Sequence, residues 1–112
     1  MHIEAFRDYC LSKKGVTEGF PFDQVTLVFK VMGKMFAIAS LDRIPPQANL
    51  KSDPERALEL RESYDGRILP GFHMNKTHWN TLHLEQLPEP LICELIDHSY
   101  DLIVASLPKK TQ

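Results

Sequence analysis

From Ile3 to Lys13 the apolar residues Ile3, Phe6, Tyr9 and Cys10 recur at helical spacing, which predicts a short amphipathic helix. Lys13 and Lys14 suit the negative end of its dipole, and Gly15 suits the position just past its end. Phe20 and Phe22 flank Pro21 in a link that is predicted to be irregular and anchored on the core by its two rings. Val25–Met32 is β-branched and aromatic and predicts a strand. Gly33-Lys34 then reads as a two-residue type II′ turn, with Met35–Leu41 returning. That register sets Met32 opposite Met35 and Val31 opposite Phe36. Val25, Leu27, Phe29, Val31, Phe36 and Ile38 would face the core, and Thr26, Val28, Lys30, Met32, Met35, Ala37 and Ala39 a wetter side.

Asp42-Arg43-Ile44-Pro45-Pro46 breaks the alternation, and Ala48–Lys51 predicts a short third strand. Ser52-Asp53-Pro54-Glu55 is a helix start with two solutions. Ser52 caps with Glu55 closing a capping box, or Asp53 caps with Pro54 at the first helical position. Ala57, Leu58, Leu60 and Tyr64 give this second helix a modest apolar side, and Asp65-Gly66 ends it. Arg67-Ile68-Leu69 leads into Pro70-Gly71, Asn75–His78 reads as a turn or short helical link, and Trp79–Leu84 returns as the partner strand. Trp79 is expected to be more than half buried against helix two, and Asn75 and Asn80 to serve as turn-makers. After Pro88-Glu89-Pro90, the residues Leu91, Ile92, Leu95, Ile96, Leu102, Ile103, Val104 and Leu107 form a broad stripe for a long third helix that Pro108 stops. The tail Lys109–Gln112 is expected to fray. The order implies an α+β domain of two layers over residues 1–112. A mostly antiparallel sheet carries its helices on one face, helices one and three together.

Composition adds bounds rather than chemistry. The 112 residues, 43% hydrophobic, suffice for one core. No apolar run spans a membrane and no signal peptide is visible, so the expected compartment is cytoplasmic and the expected state a monomer with no membrane partner. Cys10 and Cys93 lack metal or redox spacing and read as free thiols; a disulfide would need the terminal helices to pack together. The net charge is −2, but 24–41 and 66–84 contain Lys30, Lys34, Arg67 and Lys76 and no acid. An anion-binding surface belongs on those two stretches.

Reaction chemistry is not displayed. His73, His78 and His83 are five apart, alternate across a strand and lack a nearby carboxylate or thiol, so no metal site is expected. His78 and Cys93 are a base and a thiol in principle, but Cys93 sits beside the stripe of helix three and reads as inert. The chain is expected to be non-enzymatic, with no cofactor.

Lys34-Met35-Phe36-Ala37, Leu50-Lys51, the run Pro70–Asn80 and Ser99-Tyr100-Asp101-Leu102-Ile103 together resemble the MmcQ/YjbR family, over roughly Phe6 to Leu107. The run Pro70–Asn80 is the specific part. The resemblance implies a CyaY-like fold, similar to frataxin and to secretion chaperones. It also implies DNA binding through two β-hairpins likened to the double wing of the phage MotA factor. Carried onto this chain, Lys30, Lys34, Arg67, His73, Lys76, His78 and Asn80 become the DNA-binding candidates: cations for phosphates, Asn80 for a base edge, and Trp79 for stacking on a single-stranded base. Thr77 stands where family members often carry a basic residue. The iron-binding acidic helix of frataxins does not carry over, since Glu4 and Asp8 are a single helical pair. The alternative to DNA is a protein-interaction module, in the manner of secretion chaperones, using the wetter sheet face, where Val28, Met32 and Met35 are unusually apolar for a surface.

Overall fold

The computed structural model describes residues 1–108, so the expectation for Lys109–Gln112 lies outside the described residues. Its elements are α1 (Ile3–Leu11), β1 (Val16–Gly19), β2 (Thr26–Val31), β3 (Lys34–Ser40), β4 (Gln47–Lys51), α2 (Pro54–Ser63), β5 (Ile68–Pro70), β6 (Trp79–His83), a single 3-10 turn (Leu84–Gln86) and α3 (Glu89–Ser106). The six strands form one antiparallel sheet in the order β1-β2-β3-β4-β6-β5.

The α+β architecture expected from the pattern is present. Phe6 and Cys10 of α1, Leu60 of α2, and Ile92, Leu95, Ile96 and Ile103 of α3 all enter one core with Leu27, Phe29 and Val31 of the sheet. The three helices therefore share one face, α1 and α3 side by side. The Tyr9 hydroxyl donates to Asp97 (2.8 Å), and Lys13 pairs with the same carboxylate. Those bonds hold the Tyr9 phenol and the Lys13 ammonium above their ordinary pKa ranges, each chiefly through its hydrogen bond to Asp97. Burial pushes the Cys10 thiol well up, consistent with an inert side chain, and both cysteines are free. At α2 the second of the two caps is used: Asp53 accepts from the Arg56 N–H with Pro54 in the first turn.

Three expectations need correction. The link after helix one is partly a strand: Val16–Gly19 pairs with Val28–Val31 and forms one sheet edge. Four residues carry too little alternation to announce a strand, and it exists because β2 offers it an edge. The first hairpin turns at Met32-Gly33, not Gly33-Lys34. Both residues have positive φ (51° and 83°), the geometry of a type I′ turn, and Val31 pairs with Lys34. The register then shifts between Phe29 and Lys30, leaving Phe36 as an extra residue, so that Phe29 opposes Ala37 and Val28 opposes Ile38. One residue of slip exchanges faces: Ala37 and Ala39 go to the helices, and Ile38 goes to the opposite side with Val28. Val25, expected in the core, is 38% exposed.

Ser99 of α3, fully buried, serves the irregularity. Its hydroxyl donates to the Phe36 carbonyl and accepts from the Lys51 N–H, supplying partners where the β3–β4 ladder ends.

Candidate functional site: a groove on the open sheet face

The face away from the helices is not uniformly wet. Trp79, Val28 and Ile38 form a second small core there, with Met35 and Met74 packed against it. Trp79 is 8% exposed, as buried as expected, but on the side opposite α2. Val28, expected as exposed apolar surface, is 1% exposed beneath that cover.

What covers it is the chain between β5 and β6, which turns back over the sheet at Gly71. Gly71 donates to the Trp79 carbonyl (2.8 Å), and a Cβ at Gly71 would lie 2.7 Å from the Trp79 Cβ, so a side chain there has no room. Phe72 is then pinned on both sides. Its N–H donates to Thr81 Oγ1 (2.9 Å), and its carbonyl accepts from Asn49 Nδ2 (3.3 Å). Thr81 Oγ1 donates in turn to Asn49 Oδ1 (2.5 Å), closing a ring of three hydrogen bonds across β4, β6 and the loop. His73 follows at φ 61°, a left-handed backbone that presents its ring against Phe72, 4.0 Å between centroids. Asn75 makes the turn it was expected to make, accepting from the Thr77 N–H (2.9 Å).

Between Phe72–Met74 and the loop before β2 lies a groove of about 490 Å³, within the range of ligand pockets. Ile38, Ser40, Gln47 and Asn49 make its floor, and Phe22 and Phe72 stand on its rims. Both rings are exposed, at 66% and 51%. The Arg43 guanidinium lies 5.2 Å from the Phe72 ring centre and has no carboxylate partner among the described residues. Of the two acids on the rim, Asp23 is committed to its own turn, accepting from the N–H groups of Val25 and Thr26 and from the Thr26 hydroxyl. Those bonds, the Val25 N–H first, hold its carboxyl below the usual range. Asp42 is the other acid and is exposed. The side chains of Ser40 and Gln47 make no hydrogen bond among the described residues.

The seven residues proposed from sequence do not form one cluster. The pairing puts the Met32-Gly33 turn and the 71–78 loop at the same end of the sheet, so Lys34 and Lys76 share that end, both exposed. Lys34 Nζ lies 3.5 Å from Ser106 Oγ, and Lys76 Nζ donates to the Gly71 carbonyl (3.0 Å). Lys30 is partly buried in β2, on the same side as Val28. Arg67 sits at the other end, 5.2 Å over the Tyr64 ring, where its carbonyl accepts from the His83 N–H. His73 joins the groove rim, and His78 is partly buried with its carbonyl bonded to the Ser52 N–H. Asn80 is neither a base reader nor a turn-maker. It is 2% exposed and turned toward α2, accepting from Arg61 Nε (2.7 Å) and donating to the Ala57 carbonyl (3.3 Å). Trp79, buried in its own small core, is likewise out of reach of a stacking base.

Phe22, Arg43, Gln47 and Phe72 are the groove residues that pattern reading missed. Arg43 stood next to a Pro-Pro break and read as connection, whereas Phe20 and Phe22, expected to anchor their link on the core, are 48% and 66% exposed and belong to neither core cluster. The usable signal was two phenylalanines in loops, where burial does not explain an aromatic ring.

The fold has counterparts among known proteins. The model of the YjbR family matches residues 11–102, and the chain belongs to that family. It is 42% identical to the Escherichia coli O157:H7 protein YbdF over 94 residues, covering 83% of this chain and 76% of that one. It is 33% identical to YjbR of Escherichia coli K12 over 111 residues, covering 98% and 93%. Among solved structures it matches a Deinococcus radiodurans protein with a DUF419 domain at a TM-score of 0.91 and 38% identity, covering 97% of this chain and 83% of that one. A Pseudomonas syringae protein matches at 0.78 and 28%, covering 91% and 98%. Family and fold are what these likenesses establish.

Proposed function

We propose that this protein is a non-catalytic binding module that works through the open face of its sheet, taking up a segment of a partner protein in the groove between Phe22 and Phe72. The observation that carries this reading is the pair of exposed phenyl rings flanking a hydrogen-bonding floor, with the backbone of Phe72 fixed by Asn49 and Thr81. An aromatic ring held in water by a rigid backbone is the usual form of a recognition surface, because it offers large contact area at small entropic cost. The groove's acids and cations nearly balance, with Asp23 and Asp42 against Arg43, so nothing there favours a polyanion.

One observation favours a second reading. The two hairpin ends emerge together with Lys34 and Lys76 exposed, as a double wing on duplex DNA requires. Two phosphate contacts, from Lys34 and Lys76, would give a log–log salt slope of about −1.8, at about −0.9 per charge, and weak binding at physiological salt.

Partner capture by tagged protein separates the two. Capture that survives nuclease and high salt and is lost in Phe22→Ala/Phe72→Ala supports the open face. Capture lost with nuclease, with salt and in Lys34→Glu/Lys76→Glu overturns it in favour of the wings.

A further inference from the structure

We infer that the groove receives the C-terminal end of its partner, with Arg43 binding the terminal carboxylate and an apolar or aromatic last side chain lying between Phe22 and Phe72. The inference rests on the open-face reading and names the chemistry of its occupant.

Charge is the first argument. Arg43 stands at the rim with its guanidinium over Phe72 and no acid paired to it among the described residues. A planar guanidinium held against a ring keeps its outer N–H groups free, and these match a carboxylate two to two. Asp23 does not compete, since three donors of its own turn occupy it. Asp23 keeps its charge but has its oxygens occupied, which leaves Asp42 as the rim acid free to pair with Arg43 in a ligand's place.

Shape is the second. The open face is not a track. Toward the hairpin ends Met35 and Met74 pack over Trp79 and line the groove on that side, as a wall to a chain that enters between the rims. A groove of about 490 Å³ with Met35 and Met74 at one side suits a chain end. The free side chains of Ser40 and Gln47 on the floor supply partners for the last peptide groups.

The test compares a fluorescein-labelled hexapeptide ending in phenylalanine with a free carboxylate, its amidated twin, and N-acetylphenylalanine as an unlabelled competitor. Binding is read by anisotropy against the wild-type protein and Arg43→Gln, Asp42→Asn and Phe22→Ala variants whose melting matches wild type. The expected result is binding of the free acid, roughly tenfold or more weaker for the amide, as for loss of a hydrogen bond to a charged group. Arg43→Gln should erase that difference, Asp42→Asn should tighten the free acid, and Phe22→Ala should weaken both peptides. Equal binding of acid and amide overturns the carboxylate anchor while leaving the open-face reading in place. Competition by N-acetylphenylalanine at the peptide's own affinity overturns a protein terminus in favour of a free small carboxylate. Binding of neither peptide overturns the inference, and partner capture by the Phe22→Ala/Phe72→Ala variant then decides the broader reading separately.

Discussion

The N–H of Gly71 meets the carbonyl of Trp79 at 2.8 Å, and a methyl group on Gly71 would come within 2.7 Å of the Trp79 Cβ. This approach turns the chain back over the sheet and closes the small core of Trp79, Val28 and Ile38. Gly71→Ala must push the two segments apart. The expected cost is roughly 1–3 kcal/mol, the range for overpacking, read from urea unfolding followed by the sole tryptophan. A variant that unfolds with wild type would show that the loop has slack.

Trp79 itself is expected to be structural. Trp79→Ala empties a buried site and should cost about 3–5 kcal/mol. Equal thermal unfolding midpoints for the two proteins would put the ring at the surface.

Ser99→Ala should leave the Phe36 carbonyl and the Lys51 N–H without their partner in a closed interior. The expected loss is about 1–3 kcal/mol, with hydrogen exchange rising at Lys51 before the rest of β4. Unchanged exchange at Lys51 would mean that the β4 end is held without Ser99.

The elements were legible in the chain to different degrees. The helices were clear, because long stripes such as Leu91–Leu107 have one period and strong stops. The first hairpin was legible as a hairpin but not in register. A Gly at either turn position suits a two-residue loop, and the extra residue at Phe36 depends on where Ser99 of a distant helix can reach. Asn80 read as a surface residue because its amide is satisfied by Arg61 and Ala57, nineteen or more positions away, which no local pattern reports. The groove was least legible. Its rims come from three loops, and the Gly71–Trp79 approach and the Asn49–Phe72–Thr81 bonds together bring Phe72 to face Arg43.

The loop carrying Phe22 and Asp23 has an acid-sensitive hold. Asp23 is depressed from 3.8 by the bonds of its turn, so its contribution to stability is present above that value and fades as pH falls through the lower folded value. Below about pH 4 wild type should lose stability that Asp23→Asn does not lose. Urea midpoints measured from pH 5 to pH 2 check this; parallel curves for the two proteins would show that the turn bonds do not prefer the charged form.

A ligand met on the open sheet face and one met on the hairpin ends would perturb different residues. The most direct measurement is backbone amide NMR of the labelled protein, titrated in turn with the free-acid hexapeptide and with a short DNA duplex at low salt. The peptide is expected to shift Ser40, Arg43, Gln47, Phe72 and His73 and to leave Gly33 and Lys34 in place, with no saturable response to the duplex. Saturable shifts at Gly33, Lys34 and Lys76 on adding duplex, with the groove unmoved by peptide, would contradict the open-face reading.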